Sequence, residues 1–174
     1  YGTGLIWVTW SMVGVLFLFS IVNAWFFPIT ESDAIWYHIR GMSFFKEVRF
    51  DSEWVVPQLK QYPPFIPLLF AYLIAFDTEF LKVFFPLMYL CLNIIFCSRV
   101  LLLTENKKMA CLFTMVLATT PYFWWHGVLP FLDLTTAVFY STGTLYWYFW
   151  IKNVLTESRE KNCYATISGV LLGL

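Results

Sequence analysis

Charge is scarce in this chain. Only 13% of its 174 residues are Asp, Glu, Lys or Arg, about half the share of a soluble domain. That shortage excludes an ordinary water-soluble fold. Acids and bases cancel to a formal net charge of zero, so there is no basic excess to hold nucleic acid. Cysteine is also sparse. Cys91, Cys97 and Cys111 lie in apolar runs and Cys163 opens another. Their spacing fits neither a disulfide framework nor a metal site, which leaves them as small packing residues. There is no HExxH, no Gly-rich phosphate loop and no Ser-His-Asp grouping, which removes the commonest hydrolase and nucleotide chemistries. No Lys or Arg precedes the first apolar run and no small-residue cleavage site follows it, so a cleaved signal peptide is not expected.

What is present is apolar and aromatic: 60% and 22% of the residues. A helix needs about 20 apolar residues to cross the hydrocarbon of a bilayer. Residues 5–27, 81–103, 109–128 and 134–151 meet that length, and 163–174 reads as the start of a fifth span. Backbone polar groups in lipid must be satisfied within the segment, so helices are the expected span type. The fold class predicted is all-α: a polytopic transmembrane helical bundle, residues 1–174 forming one domain. The chain begins at Tyr1 and stops at Leu174 within an apolar run, which predicts the N-terminal part of a longer protein. Lys82 and Arg99, near the ends of the second span, are expected to snorkel.

One apolar run does not fit. Residues 65–76, as a helix, rise only about 18 Å, against a hydrocarbon core of about 30 Å. Asp77 and Glu79 then close the run. It is predicted to be half-inserted or to lie on the surface. Charge agrees with this choice. Lys107 and Lys108, with Arg99 nearby, mark one loop; Lys152, Arg159 and Lys161 mark another; residues 128–133 have neither Lys nor Arg. The positive-inside rule puts the two basic loops in the cytoplasm. Residues 30–80 then form an external loop with interfacial helices. The N-terminus is cytoplasmic, in a multi-pass protein of the plasma (inner) membrane.

The external loop holds the candidate chemistry. Thr30 precedes Asp33 by three residues, the spacing of a capping box. A helix over residues 33–46 puts Asp33, Tyr37, Arg40 and Phe44 on one face and Ile35, Ile39 and Met42 on a more apolar one. Such a helix is expected to lie in the interface. Residues 47–61, with Trp54 and Pro57, give no readable structure. Asp33 has two readings: an acid that favours the helix dipole, or a functional carboxylate at the membrane surface. Asp133, among apolar neighbours at the other external turn, divides in the same way between a cap and a functional acid. His38 and His126 read as interfacial aromatics. Tyr62-Pro63-Pro64 reads as a stiff approach to a helix.

Taken in order, these pieces resemble the polytopic glycosyltransferases of the C superfamily. The nearest likeness is to the bacterial protein-mannosyltransferase-like and aminoarabinose-transferase-like branch. Glu31-Ser32-Asp33-Ala34-Ile35-Trp36-Tyr37-His38 is similar to that family's Asp-x-x-x-Tyr-His pattern in the first external loop. Tyr62-Pro63-Pro64-Phe65 is similar to its His-Pro-Pro-Leu motif, with Tyr in place of His. Leu132-Asp133-Leu134 matches its second external acid. The resemblance covers nearly the whole chain in order and topology, and each motif is only two or three residues long. It implies an inverting transfer of a sugar from a polyprenyl-phosphate donor to a lipid, glycan or protein acceptor at the external face. Asp33 is the implied base, with Glu31 as its neighbour. Asp133 is implied in binding the acceptor or a divalent cation. Arg40 is placed to meet phosphate, with Lys60 as a second cation, and Tyr37, His38 and Tyr62 complete the substrate-binding set. The family's phosphate-binding Arg of later spans is absent here. A transporter subunit and a non-catalytic membrane assembly protein are the competing readings.

Overall fold

A computed structural model describes residues 2–30, 32–47, 65–76, 82–129, 132–155 and 161–173. Within them lie α1 (Gly2–Phe26), α2 (Ser32–Glu47), α3 (Phe65–Ala75), α4 (Phe84–Thr104), α5 (Lys107–Thr119), α6 (Pro121–Val128), α7 (Leu132–Leu155) and α8 (Lys161–Leu172), and no strand. The all-helical expectation holds for the described residues.

Helices α1 and α4 are long and apolar enough to cross a membrane. Only 17% and 22% of their most apolar stretches are buried. Trp7, Val15, Leu18 and Phe26 of α1 are all more than half exposed. A core helix of a water-soluble protein hides such side chains, whereas an outward apolar surface of this extent suits lipid. Helix α7 has the length but carries Thr, Ser and Tyr along it and is not in this set. Helix α8 is short.

The run 109–128 departs from the single span expected. It is two helices, α5 and α6, broken at Thr120, whose backbone is extended (φ −62°, ψ 115°). Pro121 is the cause. It has no N–H for the helical ladder, and its ring drives the preceding residue out of the α region. The free backbone groups at the break find local partners. Thr120 N donates to Leu117 O at 3.2 Å, the Thr120 hydroxyl to Val116 O at 2.8 Å, and the Tyr89 hydroxyl to Ala118 O at 2.8 Å.

Helix α3 is the short apolar run, 11 residues long. It is wedged, not free: Ile66 and Phe70 are fully buried with Tyr37 of α2, Phe85 and Leu92 of α4, and Leu134 and Val138 of α7. Helix α2 meets it at Gly41. A Cβ there would stand 2.7 Å from Phe70 Cβ and 2.9 Å from Pro67 O, so only glycine permits this approach. That contact turns the Tyr37/Arg40 face of α2 inward and leaves Ile35 exposed. At the far side, Ser168 of α8 donates to Gly143 O at 3.0 Å, a small-residue contact that brings α7 and α8 together. Arg99 of α4 donates to Tyr146 Oη at 2.9 Å and stacks on that ring at 4.4 Å.

Candidate functional site

Two neighbouring spaces open along α1. The first is a cavity of about 190 Å³ where α1 ends and α4 approaches. Its wall includes Asn23, Pro28, Thr30, Lys82, Trp124 and Leu129. Pro28 limits α1, whose last backbone bond runs from Phe27 N to Asn23 O at 3.0 Å. The carbonyl of Pro28 therefore has no helical donor to take and faces Lys82. Lys82 Nζ donates to it at 3.2 Å and to Asn23 Oδ1 at 3.4 Å. The residue is only 4% exposed. This corrects the snorkelling expected from its place near a span end. The end of α1 offers two oxygens within reach, and a buried ammonium needs such partners.

The second space is an open groove of about 640 Å³. Met12, Val15 and Leu16 of α1 form one side, and Pro121 and Trp124 the other. Thr119 and Pro121, on either side of the break at Thr120, both line it. Trp124 belongs to both walls. Its indole Nε1 donates to Leu16 O at 3.4 Å, and its ring lies 5.7 Å from that of Phe19. From Asn23 to Met12 the two spaces follow α1 for about 17 Å. An apolar groove and a cavity with a cation in its wall thus lie on either side of Trp124.

The residues singled out from sequence fall elsewhere or outside the description. Tyr37 and Arg40 are buried on α2. Burial lowers the Arg40 pKa, and the neighbouring Tyr37 acts in the opposite direction. His38 is half-buried, edge-on to Phe70 at 5.7 Å, and burial lowers its pKa. Asp133 is exposed in the first turn of α7. Asp33 lies in the first turn of α2, three residues after the cavity residue Thr30, and its side chain is outside the described set. Glu31, Lys60 and Tyr62 also lie outside the described residues. Among the described residues no three His, Cys, Asp or Glu side chains gather as for a metal.

Sequence reasoning missed Lys82, Asn23 and Trp124 as site residues. Two signals were available: Asn23, a polar side chain near the end of an apolar run, and Thr120-Pro121 inside another. Comparison with known proteins finds no matching family model, no matching curated protein and no matching solved structure.

Proposed function

We propose that this chain is part of a multi-pass membrane glycosyltransferase that moves a sugar from a polyprenyl-phosphate donor to an acceptor at the external membrane face. The observation that carries this reading is Trp124 as the common wall of an apolar groove and a cavity holding Lys82. A polyprenyl phosphate has the same order of parts: a long apolar tail, then an anion at headgroup level. The tail suits the groove along α1, and the phosphate suits the ammonium of Lys82.

The chemistry follows from that placement. Asp33 takes the proton from the acceptor hydroxyl, and the acceptor oxygen attacks the anomeric carbon from the face opposite the phosphate. The bond from that carbon to the phosphate oxygen breaks, and the charge gathering on the phosphate is met by Lys82. A positioned base supplies about 10²–10⁴ in rate, and a fixed cation at the leaving group adds a comparable electrostatic contribution. Thr30 in the cavity wall brings the start of α2, and so the backbone of Asp33, toward this place. Asp133 would attend the acceptor or a divalent cation from the start of α7.

The test is Lys82→Met in the full protein, assayed for sugar transfer from a polyprenyl-phosphate sugar. Transfer is expected to fall about 10²–10³-fold, with the folded protein still recovered from the membrane. Transfer within twofold of wild type removes Lys82 from the role. The broken α5–α6 segment favours a second reading, a transporter subunit, because transporters place substrate sites at discontinuous helices. Against it, the Thr hydroxyls at the break bond carbonyls of their own helix. Solute flux in liposomes without donor turnover would decide for the transporter.

A further inference from the structure

Helix α6 is an eight-residue rod between two extended residues, Thr120 (φ −62°, ψ 115°) and Leu129 (φ −102°, ψ 139°). Extended backbone at Thr120 ends the helical ladder there, so no i to i−4 ladder runs on from α5 into α6, and α6 itself ends at Val128. The ring of Tyr89 lies under the rod. Phe123 and Gly127, a turn apart, both lie on Tyr89: the Phe123 ring is 5.0 Å from the Tyr89 ring, and a Cβ on Gly127 would stand 3.1 Å from Tyr89 Cβ. Tyr89 is itself fixed, fully buried, with its hydroxyl bonded to Ala118 O across the break.

Trp124 and Val128, one step round the helix, face the cavity beside α1. The seam is closed by the 3.4 Å bond from Trp124 Nε1 to Leu16 O, the tilted ring pair with Phe19 and the packing of Trp124 and Leu16 against the buried cluster of Val13, Tyr89 and Ala118. Yet a lipid whose tail fills the groove and whose phosphate fills the cavity must lie across this seam, since Trp124 is the wall between them. We infer that α6 rocks on Tyr89 as a gate, and that Trp124 leaves α1 to let the lipid slide sideways from the bilayer into the cavity. The inference rests on the donor reading above and adds the route by which that donor loads.

The full chain in phosphatidylcholine nanodiscs tests it by amide hydrogen exchange, with a long-chain polyprenyl phosphate as the probe and native mass spectrometry to read its retention. Residues 124–128 are expected to exchange together, about tenfold faster than residues 111–119, as a local unit of low stability. Trp124→Phe removes one hydrogen bond and is expected to speed their exchange about fivefold. Gly127→Ala, which presses α6 off Tyr89, acts in the same direction by an independent contact. Bound polyprenyl phosphate slows the exchange. Equal protection of residues 124–128 and 111–119, or no response to either variant, overturns the gate. Retention of polyprenyl phosphate with unaltered exchange overturns the gate and leaves the donor reading standing. Failure of wild type to retain polyprenyl phosphate overturns both.

Discussion

At Lys82, Asn23 Oδ1 and Pro28 O stand in for part of the water an ammonium group would keep at a membrane surface. Asp33 presents the opposite question, since an acid in the first turn of a helix has a stabilising role in any case. The two roles separate by experiment. Asp33→Asn keeps the shape and much of the capping ability of the side chain but cannot accept a proton as a carboxylate does. Transfer is expected to drop about 10²–10⁴-fold with little change in melting temperature; loss of stability with transfer intact would make Asp33 a cap alone. His38 adds a pH dependence. Burial against Phe70 holds its pKa below the ordinary 6.5. Between 6.5 and that lower value the unfolded chain binds a proton that the folded chain does not, so stability falls as pH falls through this window. The melting temperature of wild type is expected to decline from about pH 7 to pH 5, and His38→Phe to decline less. Equal slopes would assign the loss to other groups.

Helices α2 and α3 are joined by a contact that only glycine allows. Adding a methyl at Gly41 meets Phe70 Cβ at 2.7 Å and the Pro67 carbonyl at 2.9 Å. The second atom is backbone and cannot swing aside. Gly41→Ala is therefore expected to cost about 1–3 kcal/mol, read as a lower melting temperature in detergent, and to loosen α3 from Phe85 and Leu134. An unchanged melting temperature would mean that α2 and α3 separate without consequence. The apolar runs at α1, α3 and α4 were legible because each is a local property: length, hydropathy and a bounding Pro or acid. The broken α5–α6 segment was misread as one span because total apolar length outweighed Pro121. A proline in an apolar helix is a local stop signal whatever the length around it.

For the whole molecule, the short length of α3 makes the expected orientation testable. A helix of 11 residues rises about 17 Å, less than the ~30 Å of a hydrocarbon core, which predicts that residue 60 is reached from the side of the membrane where α1 ends. Lys60→Cys in a cysteine-free background, probed in intact cells or right-side-out vesicles, is expected to react with a membrane-impermeant maleimide from outside. Labelling only from the cytoplasmic side would reverse the orientation, and with it the place of the cavity. The candidate site was only partly legible at this scale. Asp33 and Asp133 were singled out by residue type and position, and they stand in the first turns of α2 and α7. The Lys82 cavity was not, because its walls come from α1, from the turn before α4 and from α6.

The sequence by itself determined the helical character of the chain and the extent of the apolar runs at α1, α3 and α4, since both depend on neighbours within a few residues. It thereby determined that the described residues are helical and that α3 is shorter than the roughly 20 residues a crossing needs. Only the tertiary structure decided which cation faces a cavity. Lys82 and Asn23 are 59 residues apart, and Trp124 and Leu16 are 108 apart. Pairings over such distances depend on how α1, α4 and α6 pack, and no local pattern encodes them. Arg40 illustrates the same limit. Helical spacing put it on a face with Asp33, and the glycine contact with α3 turned that face into the core.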